Sequence, residues 1–193
     1  MSPDLERRAA PVAHEGTAIV GRAIVFGTLS EDLGGFREII EPAAVDRTLA
    51  EQIDVRALVD HDPAKIIGRV KAGTLILEKR HDGLHVRIAP PDTTVGRDIL
   101  ESVRRGDIDG MSFTFGVVRP GGERFEQRDS GLVRIVSDMR IAEVSLVTFP
   151  AYTATDASVA QRALREHQAR QGRSVAFLRQ ALAIGPATIG RHG

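Results

Sequence analysis

The stretch that decides the fold is Gly110-Met111-Ser112-Phe113-Thr114-Phe115-Gly116. Side chains alternate across a strand, so Met111, Phe113 and Phe115 share one face while Ser112 and Thr114 share the other. Packing the two phenylalanines into a core turns the Ser112 hydroxyl to the opposite face, where it can meet a base. Two further segments offer what such a hydroxyl needs. Val59-Asp60-His61-Asp62-Pro63 presents an imidazole at the end of a strand, and Ile141-Ala142-Glu143-Val144-Ser145 presents a carboxylate in a later one. Serine, histidine and carboxylate on strands are the ingredients of a serine hydrolase.

Working outward, β-rich runs dominate. Thr17 to Gly27, Phe36 to Ile40 and Val55 to Val59 read as strands. So do Ile66 to Lys71, Thr74 to Lys79, Leu84 to Ile88, Leu132 to Val136 and Arg140 to Phe149. Ala72-Gly73 and His81-Asp82-Gly83 supply turn chemistry. Helices are few. Pro42 opens one that runs to about Glu51, its missing N–H costing nothing in the first turn. Thr93 to Arg105 carries Val95, Ile99 and Val103 at helical spacing, with Asp92 or Thr93 as cap and Gly106 as stop. Many strands with two or three helices predict an α+β, largely antiparallel, barrel-like core with a few flanking helices, not a doubly wound sheet. Residues 1–15, with two prolines and no period, read as a flexible N-terminal arm. Residues 16–152 read as the domain, and 153–193 as a helical or partly disordered C-terminal tail.

Composition excludes several functions. The chain has 193 residues, and its 26 basic and 26 acidic residues leave a formal net charge of +0, without the basic excess of a nucleic-acid binder. Cysteine is absent, which removes thiol nucleophiles, thiolate zinc sites and disulfides together. No apolar run approaches the roughly 20 residues that span a bilayer, and Ser2 to Gly16 lacks the apolar centre of a secretory signal. The expectation is a soluble intracellular protein without nucleic acid or membrane partners. Gly34-Gly35 and Gly121-Gly122 lack the lysine of a phosphate loop, and no cofactor or metal is expected. Asp60, His61 and Asp62 are a poor metal site, because an extended backbone points the aspartates away from the histidine.

Each candidate also has a plain structural reading. Ser112 fits a strand serine between glycines, His61 a surface histidine at a strand end, and Glu143 an edge-strand glutamate facing water. Glu143 nevertheless shares its alternation face with Ile141, Val147 and Phe149, and a carboxylate among apolar neighbours needs a partner. Ser145, two residues on, is the rival nucleophile. Arg140 fits either an electrophilic helper or an exposed ion pair. The serine motif is not the Gly-x-Ser-x-Gly elbow, so an α/β-hydrolase is not supported.

Three segments in order, LVDHDP (58–63), GMSFTFG (110–116) and AEVSLVTFPAY (142–152), resemble the tailed-phage prohead protease family, whose fold is related to the herpesvirus assemblins. Phe26-Gly27 followed by Glu41-Pro42-Ala43 resembles the start of the family domain. The resemblance implies a serine endopeptidase of capsid maturation, in a particle of phage, prophage or gene-transfer-agent type. It implies Ser112 as nucleophile, His61 as general base and Glu143 as the group orienting His61. It also implies cleavage of scaffold or of the scaffolding segment of the major capsid protein precursor, together with self-cleavage and self-association. The place of action would be the procapsid in the bacterial host cytoplasm. Assemblins use a second histidine where Glu143 stands, and an arginine pair shortly after it for the oxyanion. Here no arginine follows Glu143 before Arg162. A non-catalytic capsid assembly or scaffolding protein on the same fold is the alternative.

Overall fold

The computed structural model describes residues 6–148, together with Arg165 and residues 167–169. Eleven strands and two α-helices make up residues 6–148. The strands are β1 (Glu6–Glu15), β2 (Ala18–Val25), β3 (Arg37–Ile40), β4 (Arg56–Val59), β5 (Asp62–Arg69), β6 (Leu75–Arg80), β7 (Gly83–Ile88), β8 (Gly110–Val117), β9 (Glu123–Arg128), β10 (Gly131–Val136) and β11 (Met139–Val147). The helices are α1 (Asp46–Ala50), preceded by a 3₁₀ turn at Pro42–Val45, and α2 (Thr94–Arg105).

Eight strands form one sheet in the order β5-β4-β11-β8-β1-β2-β7-β6, curled into a half-barrel, and β3-β10-β9 form a second, small sheet. Pairing is mostly antiparallel; β4 with β11 and β3 with β10 are parallel. The inner face of the large sheet carries the core. Met111, Phe113, Phe115, Ile141, Val144 and Leu146 are all buried there. The Phe113 and Phe115 rings stack with centroids 5.3 Å apart, as their shared strand face requires. Burying each contributes up to about 3 kcal/mol.

Helix α2 is built as its sequence predicts. The Thr93 hydroxyl caps it by accepting from Gly96 N–H at 3.2 Å, and Gly106 ends it in the left-handed region at φ 79°. Ile99 and Val103 are buried, but Val95 is 36% exposed and lies off the core stripe. Gly96 sits in the first turn because a Cβ there would fall 2.0 Å from the Pro91 carbonyl oxygen.

The N-terminal segment departs from the expected arm at residues 6–15. Residues 6–15 are a strand inside the large sheet, with 6–11 paired to β8 and 12–15 to β2. Pro11, which has no N–H to give a ladder, stands where the strand changes partner. Strand β9, also not anticipated, is highly charged and forms an edge of the small sheet. Arg134 of β10 is fully buried and donates to Glu38 of β3 at 2.9 Å and to Glu123 of β9 at 2.6 Å, tying the three strands together. Of the tail, only Arg165 and residues 167–169 are described. They are helical, and the His167 ring lies 4.6 Å from that of Phe125 on β9. The rest of the tail lies outside the described residues.

Candidate active site

The site is assembled on the face of the sheet opposite the phenylalanines. Strands β8 and β11 are adjacent, with Ser112 directly across from Ser145 and Thr114 directly across from Glu143. On the core side, Met111, Phe113 and Phe115 face Leu146, Val144 and Ile141. This arrangement depends on an irregularity: the register shifts between Ile141 and Glu143, leaving Ala142 as an extra residue. The bulge puts Ile141 on the apolar face and Glu143 on the polar one, correcting the plain alternation that placed them together. Glu143 is also not on an edge strand, since β11 lies between β4 and β8. Phe149 lies outside the described residues.

Strand β4 runs parallel to β11 and delivers His61. The chain does not stay extended there. Asp60 and His61 are the two central residues of a tight β4–β5 hairpin, with φ of 49° and 58°. Positive φ at both positions marks a type I′ turn, and Asp and His are among the non-glycine residues that tolerate it. The turn is strapped to the end of β11. The Asp60 N–H donates to the Leu146 carbonyl at 2.8 Å, and the Asp60 carboxylate accepts from the Thr148 N–H at 2.8 Å and the Thr148 hydroxyl at 3.0 Å. Asp60 is thereby spent on holding the turn. Among the described residues no group of three or more His, Asp or Glu side chains forms a metal site.

His61 and Glu143, 82 residues apart in sequence, meet directly. Nδ1 of the imidazole lies 2.7 Å from Oε1 of the carboxylate, and the two side chains are only 10% and 12% exposed. Glu143 Oε1 also accepts from the Thr114 hydroxyl, and Oε2 accepts from the Ser145 hydroxyl. Burial alone would push the Glu143 carboxyl up. The hydrogen bonds from His61, Ser145 and Thr114 outweigh that, so it is held below the ordinary glutamate range. An ionised carboxylate only accepts. Facing such an acceptor, an imidazole in its neutral form carries its proton on Nδ1 and leaves Nε2 as a lone-pair acceptor.

Ser112 is completely buried, and its hydroxyl makes no hydrogen bond. It lies diagonally across the strand pair from Glu143, at a spacing of about 7–8 Å that an imidazole can span. Among the described residues, two buried side-chain polar atoms lack a hydrogen-bond partner: Ser112 Oγ and His61 Nε2. The rival hydroxyl, Ser145, is engaged by Glu143. Arg140 stands across from Gly116 and pairs with Glu51 at 2.8 Å on the surface, an ordinary ion pair.

The sequence model of the Caudovirus prohead serine protease family matches residues 4–170. The chain belongs to that family. Membership makes it a peptidase of capsid maturation. The matched span begins just before β1, which agrees with that strand being part of the domain. Among solved structures, the bacteriophage T4 capsid assembly protease, gp21, is similar over 76% of this chain and 99% of that one, with 13% identity and a TM-score of 0.49. No curated protein matches. Among the described residues, no helix is long and apolar enough to cross a membrane.

Proposed function

We propose that this prohead protease family member is a serine endopeptidase in which Ser112 is the nucleophile, His61 the general base and Glu143 the group that orients His61. The observation that carries the reading is the pair of unpartnered buried atoms, Ser112 Oγ and His61 Nε2. A buried polar group left without a partner costs about 1–3 kcal/mol. Here the two are the donor and the acceptor of one proton transfer. In the first step Ser112 Oγ attacks the peptide carbonyl while His61 Nε2 takes the hydroxyl proton. The imidazolium formed is stabilised by the Glu143 carboxylate at Nδ1. His61 then gives the proton to the leaving amine, and water releases the acyl group by the same path. Backbone N–H groups serve for the oxyanion.

The substrates in this reading are scaffold or the scaffolding segment of the major capsid protein precursor, and the chain itself. The place is the procapsid interior in the bacterial host cytoplasm. The catalytic unit runs to Tyr152 on a core of assemblin type, and 153–193 is a tail. Support for a substrate of this kind is the family alone. The test is co-expression with the capsid precursor. Wild type should shorten the precursor, and Ser112→Ala should fold but leave it full length. Normal processing by Ser112→Ala refutes the assignment, and a precursor left full length by wild type favours a non-catalytic assembly role.

A further inference from the structure

Glu143 reaches its site through a long side chain with several rotatable bonds, and a carboxylate so placed has rotamer freedom to lose. Two hydroxyls remove that freedom, one at each carboxylate oxygen. Thr114 comes from β8 and binds Oε1, the oxygen that also faces His61, while Ser145 comes from β11 itself and binds Oε2. The Ala142 bulge brings all three groups to one face, because it places Glu143 opposite Thr114. The carboxylate can only accept, so both hydroxyls must donate to it. The Ser145 proton is thereby committed to Glu143, although Ser145 stands directly across from Ser112.

We infer that Thr114 and Ser145 are positioning residues of the site, acting through Glu143 to hold the His61 ring with Nε2 towards Ser112. This rests on the catalytic reading above. Neither hydroxyl touches the reacting atoms. Thr114 fixes the oxygen that receives Nδ1–H, so its loss lets that oxygen and the ring swing together. Ser145 fixes the other oxygen and keeps its own hydroxyl from bonding to Ser112. Released from Glu143, that hydroxyl would compete with His61 for the Ser112 proton. Val in place of Thr114 keeps the shape and removes the donor, and Ser restores the donor.

The experiment uses the full chain and a small fluorophosphonate that labels an activated serine, read as a second-order rate with the adduct mapped by peptide mass spectrometry. Thr114→Val and Ser145→Ala should each slow labelling of Ser112 at least ~10-fold, equivalent to about 1.4 kcal/mol. Thr114→Ser should stay near wild type. In a Glu143→Gln background Thr114→Val should add little further loss, since its effect runs through that carboxylate. Labelling of Thr114→Val and Ser145→Ala at the wild-type rate overturns the positioning role and leaves the catalytic reading standing. Failure of wild type to label at Ser112 overturns the catalytic reading instead. The positioning role is then judged on the downfield Nδ1 proton resonance of His61. That resonance should shift or broaden in Thr114→Val and not in Thr114→Ser, and an unchanged resonance overturns the role. Circular dichroism melting separates these outcomes from misfolding, and Thr114→Ser supplies a folded comparison if Thr114→Val is unstable.

Discussion

Replacing Glu143 with glutamine keeps the size of the side chain and removes its charge. The amide has two orientations. With its oxygen towards His61 and Thr114, it still accepts from both, and the Ser145 hydroxyl turns round to accept from the NH₂ group. That orientation preserves the Nδ1–H tautomer that the 2.7 Å contact with the carboxylate favours but loses the negative charge facing the imidazolium formed during attack. Two unit charges about 4 Å apart at an effective dielectric near 20 interact by about 4 kcal/mol, which is about a 10³-fold loss of rate. The other orientation points an N–H at Nδ1 and drives the proton to Nε2, for a loss near 10⁴. Glu143→Gln should therefore lower kcat/KM on a capsid-derived peptide by roughly 10³–10⁴. Stability follows the same group. The Glu143 carboxyl is held below its ordinary range, so its contribution is fully present above the unfolded value near pH 4.3 and is lost as pH falls through the lower folded value. Denaturant melts from pH 7 to 3 should show wild type losing stability relative to Glu143→Gln in the acid range. Wild-type turnover in Glu143→Gln would refute the electrostatic role. A stability difference that does not change with pH would show that the carboxylate is not held ionised by the fold.

Two further perturbations test the scaffold. Arg134→Leu removes a fully buried cation that bridges Glu38 and Glu123; breaking such a pair costs about 3–5 kcal/mol, a fall in Tm of roughly 10 °C by calorimetry, and a shift under 2 °C contradicts the account. Deleting Ala142 erases the bulge and forces either Ile141 or Glu143 onto the wrong face. It should give insoluble or inactive protein on expression, and a folded, active deletion would show that the bulge does not set the site.

What the chain discloses in advance follows from how strongly each segment depends on its own residues. The β8 segment is legible because its aromatic and small polar residues alternate without interruption, and α2 because its cap and stop agree with the spacing of Ile99 and Val103. The meeting of His61 with Glu143 was foreshadowed by a carboxylate set in an otherwise apolar strand. Other features depend on partners. Strand β1 is held by β8 and β2 on its two sides, and its Pro11 hides the pattern. Strand β9 is polar because it forms an edge. The Asp60-His61 turn lacks the usual Asn-Gly signature and is held by Thr148. The Ala142 bulge has no mark of its own in the sequence; only pairing with β8 reveals it. The seat that Thr114 and Ser145 make for Glu143 was hidden for the same reason.

The most direct measurement is to treat the purified chain with a fluorophosphonate and locate the adduct by peptide mass spectrometry, alongside His61→Ala. The account predicts a single adduct on Ser112 whose formation collapses without the imidazole. An adduct on Ser145, or labelling of Ser112 that proceeds unchanged in His61→Ala, would contradict it.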